Sequence, residues 1–184
     1  MKVDLNEIGK IFCKGEEVKS LLMKDNIYWT ELIKSNINYI PDMSTNNQYG
    51  FIVSSSKAMT PYYAEFKAFD KEVGNFRSSW LYNSPSAEYI EIKLDQPKRI
   101  WKVGLNASNH AVVSAPSVTE VGGLTGNDYV KFTDINKSIS KSKLDYFEID
   151  SMNEYESIRF TIVNTPQNRY NYSGFGEIEI YVYE

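Results

Sequence analysis

The sequence predicts an all-β protein, a sandwich or barrel of about seven short strands. Three observations carry that reading. The closing stretch, residues 157–184, alternates apolar and polar positions with a period of two: Ile158, Phe160 and Ile162 against Arg159, Thr161 and Val163, then Ile178, Ile180 and Val182 against Glu177, Glu179, Tyr181 and Tyr183. Such alternation is the mark of half-buried strands. From Met43 onward, short apolar runs are separated by Ser, Asn, Gly and Pro. No long stretch repeats with a helical period, so a layered β core is the expected architecture.

Taken in order, residues 11–18 (IFCKGEEV) are echoed by residues 21–28 (LLMKDNIY), each an apolar run, a lysine, a turn pair and a second apolar position. Gly15 and Asp25-Asn26 supply turn chemistry, which predicts short hairpin strands, with an amphipathic helical turn over residues 16–22 as the competitor. Trp29 closes this unit as a packing anchor. A polar connector follows over residues 32–39. The expected strands are then residues 51–54, 89–94, 99–105, 129–132, 144–149, 157–163 and 177–183. Residues 64–70 read as a helical turn or a loop, and the Ser/Gly/Val-rich residues 106–128 have room for a hairpin. Residues 164–176, rich in Asn, Pro, Tyr and Gly, read as a loop excluded from strand interiors. The expected division is an attachment segment over residues 1–40 and a sandwich domain over residues 41–184.

Composition narrows the function. The net charge is −4, with no Lys/Arg cluster, which argues against a nucleic-acid partner. No run approaches the roughly 20 apolar residues that span a bilayer, and the acidic N-terminus lacks a signal peptide's apolar core, so no membrane insertion is expected. Cys13 is the only cysteine and His110 the only histidine, which leaves no disulfide framework and little acid–base or metal chemistry at imidazoles. Cys13 has no paired His nearby and reads as a small buried hydrophobe. Ser44, Ser54 and Ser114 lack a nucleophile elbow, and Gly122-Gly123 and Gly126 lack a phosphate-loop pattern. A non-enzymatic protein is the expectation. The 14 tyrosines suit wet binding surfaces as well as β-sheets.

An ordered set of motifs then resembles a family. Met43-Ser44-Thr45-Asn46-Asn47, Ser54-Ser55-Ser56, Ala68-Phe69-Asp70, Ser78-Ser79-Trp80, Tyr89-Ile90-Glu91-Ile92, Ser157-Ile158-Arg159-Phe160 and Gly174-Phe175-Gly176-Glu177-Ile178-Glu179-Ile180-Tyr181 are similar to the discoidin-like domains, also called coagulation-factor C-type domains, which merge into the galactose-binding-like carbohydrate-binding modules. The resemblance covers about residues 40–184. It implies a jelly-roll sandwich with ligand loops gathered at one end. It also implies a structural calcium at Asp70, the Gly74-Asn75 turn, Ser78 and Glu177, with oxygen donors suited to a hard cation. This loop departs from the family in the inserted Lys71-Glu72-Val73 and in Ser78 where Thr is usual, and Lys71 offers itself as an alternative counter-charge for Asp70.

The expected glycan-binding residues are Tyr49, Tyr82, Asn83, His110, Arg169, Tyr170, Asn171 and Tyr172. Tyrosine faces pack on sugar C–H groups, while Arg, Asn and His serve the hydroxyls. For Tyr170 and Tyr172 the alternative is solvent-facing tyrosines at a protein interface, and for His110 an exposed loop histidine. The segment KIFCKGEEVKSLLMKDNIYW resembles leader segments on tail and baseplate proteins of phages and phage-tail-like bacteriocins. Together these resemblances imply a multi-copy virion tail or tail-like particle component, joined to other tail proteins through residues 1–40 and presenting a domain for a cell-surface glycan. The alternatives are a stand-alone carbohydrate-binding module and a purely structural sandwich.

Overall fold

The computed structural model describes strand backbone at residues 12–13, 16–17, 20–23 and 26–30, and the chain over residues 32–75, 77–151, 153–164 and 171–184. It packs as two units, Met1–Ile33 with Glu184, and Lys34–Tyr183. In the first, β1 (Phe12–Cys13) pairs antiparallel with β2 (Glu16–Glu17), and β3 (Ser20–Met23) with β4 (Asn26–Thr30). These are the two hairpin-like repeats expected of the turn residues, and the described residues of 16–22 are strand rather than the competing helix. The side chains of Cys13 and Trp29 lie outside the described residues.

The second unit is a two-layer jelly-roll β-sandwich. One sheet has six strands in the order β11-β10-β13-β8-β6-β5, and the other four in the order β12-β9-β14-β7. The larger sheet contains β5 (Asn47–Gln48), β6 (Phe51–Ser55), β8 (Glu88–Lys98), β10 (Val118–Thr125), β11 (Asp128–Ile135) and β13 (Tyr155–Asn164). The smaller contains β7 (Trp80–Asn83), β9 (Ile100–Ala107), β12 (Asp145–Glu148) and β14 (Tyr172–Val182). Among the described residues no helix is long and apolar enough to cross a membrane.

The core follows the alternation of the closing strands. Ile158, Phe160, Ile178 and Ile180 are all fully buried between the sheets, with Trp80, Phe69 and Phe175 among them. Trp80 stacks on Phe175 at 6.1 Å and its indole N–H donates to the Lys57 carbonyl, so this large aromatic is both packed and satisfied. The connector residues 34–40 join this unit as well. Ser35 N–H donates to Val182 O and Tyr39 N–H to Ile180 O, and Ile40 is buried.

Two expectations change. The helical turn near residue 64 is a pair of short 3-10 helices, Pro61–Tyr63 and Glu65–Ala68, the first capped by Thr60 with Pro61 at its first position. The closing loop is shorter than expected, because β14 begins at Tyr172, five residues before Glu177. Residues 173–176 sit inside the sheet because their glycines permit close approach. A Cβ at Gly174 would lie 2.0 Å from the Trp80 carbonyl oxygen, and one at Gly176 would lie 2.6 Å from Asn106 Oδ1. The glycines that suggest a loop are there to let β14 lie against β7 and β9.

Candidate functional site

Two neighbouring features carry the chemistry. The first is built on the outer side of the four-stranded sheet, where a bulge between Phe175 and Glu177 sets Glu177 opposite Asn106. Both side chains are buried. Asn106 is fully engaged: its amide donates to the carbonyls of Ser140 and Lys143, and its oxygen accepts from Gly74 N–H. Glu177 is not. Among the described residues neither carboxylate oxygen has a hydrogen-bond partner, although the residue is only 1% exposed. Burial first, then the charges of Asp70 and Glu179, push its pKa from 4.5 up to about 9; Lys71, through its backbone N–H and its charge, works against this without closing a hydrogen bond.

The 70–78 loop supplies the other oxygens. Ser78 Oγ donates to Asp70 Oδ2, and Asp70 Oδ1 accepts from Glu72 N–H at 3.2 Å. Burial raises the Asp70 pKa, with the Ser78 and Glu72 hydrogen bonds opposing. The Asn75 side chain is engaged within the loop: its amide donates to Glu72 and its oxygen accepts from Arg77 N–H, while its main-chain carbonyl accepts from Ser78 N–H. Lys71 forms no ion pair with Asp70 among the described residues. No group of three or more His, Cys, Asp or Glu converges there either. What remains is two half-buried or buried carboxylates, one hydroxyl and loop carbonyls. That all-oxygen set, with an orphaned buried carboxylate, fits a hard divalent cation.

The second feature is a rim at one end of the sandwich. Strand register places Tyr172 opposite Asn83, where β14 begins and β7 ends. Ser84 N–H donates to Asn171 O, and Ser114 N–H to Tyr172 O, which brings the 108–114 turn to the same place. In that turn Val113 N–H donates to His110 O, and the His110 ring meets Tyr63 edge-on at 6.3 Å. Tyr62 lies against Tyr63 at 4.9 Å and is 51% exposed, with Lys67 Nζ 4.4 Å above its ring. Asn83 and Asn171 are exposed, and His110 and Tyr172 half-buried. The 70–78 loop braces this rim, since Asn109 Nδ2 donates to Gly74 O at 3.0 Å beside His110.

The rim therefore gathers Asn83, His110, Asn171 and Tyr172, and it loses two expected members. Tyr82 is 1% exposed and packs on Trp80 at 5.3 Å, because alternation along β7 turns it inward when Asn83 turns out. Tyr49 is 77% exposed but sits at the other end: the β5–β6 turn lies beside Asp95, whereas the rim end of β8 is marked by Glu88 opposite Ile162. Arg169 and Tyr170 lie outside the described residues. Sequence reasoning missed Tyr62, Tyr63 and Lys141, whose ammonium donates to the carbonyls of His110 and Val113. For the tyrosines a signal existed, since Thr60-Pro61 is a helix-start pair ahead of two aromatics.

No family model matches the chain, and no curated protein matches it. Solved structures do. The F5/8 type C domain of a Bacteroides fragilis protein superimposes with a TM-score of 0.61 at 15% identity, over 75% of this chain and 95% of that one. A fragment of a chitobiase-like protein from Bacteroides thetaiotaomicron gives 0.61 at 14% identity, over 82% and 98%. The family 32 carbohydrate-binding module of Clostridium perfringens NanJ, in complex with galactose, gives 0.56 at 12% identity, over 72% and 93%. The fold is the discoidin-like jelly roll. Identities this low establish the fold, while function must be argued from the site.

Proposed function

We propose that the Lys34–Tyr183 unit is a non-catalytic carbohydrate-binding module that holds a neutral sugar on the rim. The observation that carries this reading is the convergence of Asn83, His110, Asn171 and Tyr172, from three separate chain segments, at one end of a fold that a galactose-bound module also has. Tyr62 and Tyr63 add aromatic faces for sugar C–H groups, and the amides and imidazole serve hydroxyls. Arg169 and Tyr170 belong to this proposal by their place in sequence just before Asn171. A calcium ion held by Asp70, Ser78 and Glu177 would supply charge neutralisation and fix the 70–78 loop, hence the Asn109 brace beneath His110. Such an open polar site binds a single sugar with a Kd of about 1 mM, near −4 kcal/mol, so multivalent display is part of the reading.

The test is a glycan array probed with the multimerised chain, comparing Tyr62→Ala and Asn171→Ala with the parent. Loss of binding without loss of thermal stability supports the site. An unchanged array signature in both variants, or no array binding at all, argues for a sandwich whose loops contact protein. None of the three neighbours is described as a tail protein. Attachment to tail or baseplate proteins through residues 1–40, and with it a place in a phage-tail-like particle, rests on the resemblance of the N-terminal segment and on the separate packing of Met1–Ile33. Immunogold labelling of particles from the source cells tests it.

A further inference from the structure

We propose that the open margin of the sandwich between β11 and β12 is a second binding groove, one that takes an extended neutral oligosaccharide. The groove shares only its ligand class with the rim and uses none of its residues. Two cavities follow one another along the same strand. One of about 400 Å³ is lined by residues 133–137 and 146–148, and one of about 250 Å³ by residues 130–132, 149–151, 153 and 155. As numbering rises along β11 it falls along the opposite wall, so the two lie end to end along one margin and are taken together as one trough. At the ~3.3 Å rise of a strand, residues 130–137 give it a length of roughly 23 Å.

The trough exists because the two layers end unevenly. β11 has eight residues, while the facing edge strand β12 has four. Val130, Thr133 and Ile135 pair with Gly123, Val121 and Thr119, all buried, so they face the interior. Ile135 is covered, but Val130 remains 47% exposed although it faces inward. Phe132, the extra residue of the β11 bulge, stands edge-on to Tyr155 at 4.8 Å on the floor, and half-buried Phe147 continues the floor on the β12 side. Exposed Asn136 and Asn153 provide amide donors and acceptors on opposite walls.

Three ion pairs border this floor, and among the described residues exposed Glu148 on the β12 wall is in none of them. Lys131 is paired with Asp134 at 2.9 Å, Lys137 with Asp145 at 3.1 Å, and Asp150 with Lys34 at 3.2 Å. A polyanion would find its lysines occupied, and a polycation would find a single carboxylate, Glu148, outside the pairs. The complement of an aromatic floor with amide walls and mostly paired charges is an elongated chain with apolar faces and hydroxyl edges.

The test is chemical-shift mapping of the 15N-labelled full chain with two ladders, β-1,4-linked glucose and N-acetylglucosamine oligomers, each from monosaccharide to hexasaccharide. The expected result is movement of the Val130, Phe132, Asn136 and Asn153 amides. Apparent affinity should rise at least tenfold from disaccharide to hexasaccharide. The Asn136→Ala/Asn153→Ala double variant, changed only at exposed positions, should lose that response while keeping its spectrum. Groove amides unmoved by every oligomer overturn the proposal, as does a response that does not grow with length. Groove shifts caused by raising protein concentration alone would assign the margin to a second copy and equally overturn it. Movement at His110 and Asn171 without movement in the groove would leave the rim reading intact, and the converse would leave only the groove.

Discussion

Removing the charge of Glu177 should change sign in its effect on stability when calcium is added. In chelator the buried carboxyl carries a pKa near 9 against an ordinary 4.5, so between those values the folded protein binds a proton that the unfolded chain has released. Stability is then greatest below pH 4.5 and falls as pH rises through that window. At 1.36 kcal/mol per unit, the loss between pH 4.5 and 7 is about 3 kcal/mol. Glu177→Gln avoids it, and for a chain of this size the variant should melt roughly 6–12 °C above the parent in chelator at pH 7. Calcium reverses the order. At about 1,000 times its Kd the ion adds ~4.1 kcal/mol to the parent, more than the deficit of about 3 kcal/mol, and the glutamine variant, lacking one carboxylate, gains much less. Thermal melts of both proteins from pH 5 to 8, in chelator, calcium or magnesium, provide the measurement. A parent with the same Tm in chelator and calcium, together with a glutamine variant less stable in both, would refute the reasoning. It would mean that Glu177 is satisfied as a carboxylate by something other than a cation.

Three further outcomes are expected. Phe160→Ala, at a fully buried core position, should cost about 3–5 kcal/mol in urea unfolding, and a cost under 1 kcal/mol would place the ring outside the core. Gly174→Ala should destabilise by about 1–3 kcal/mol or more, because the new methyl meets a backbone carbonyl that cannot step aside; hydrogen exchange should show the loss concentrated in β7 and the start of β14. Deleting residues 1–33 should leave a folded remainder with an unchanged near-UV spectrum, since Lys34–Tyr183 is a compact unit with its own buried core; an unfolded product would make the first unit integral to the sandwich.

The sequence by itself determined the all-β class, the turn-built N-terminal repeats, and the inward faces of the closing strands. Those rest on local chemistry: period-two alternation for residues 158–162 and 178–182, and Gly15 and Asp25-Asn26 for the hairpins. It also pointed to Asp70, Ser78 and Glu177 as one oxygen-rich set, through an ordered resemblance rather than through spacing. What it could not determine is which of two alternating neighbours faces in where both are aromatic or polar. Tyr82 and Asn83 carry no such mark, and only the pairing of β7 with β14 turned the tyrosine into the core. Strand direction decided Tyr49, which lies in an exposed turn like the rim residues but at the opposite end of β6. The gathering of His110, Tyr63, Asn83 and Tyr172 is likewise a product of long-range register. Bonds between segments tens of residues apart in sequence fix it, and no local pattern of residues encodes their meeting.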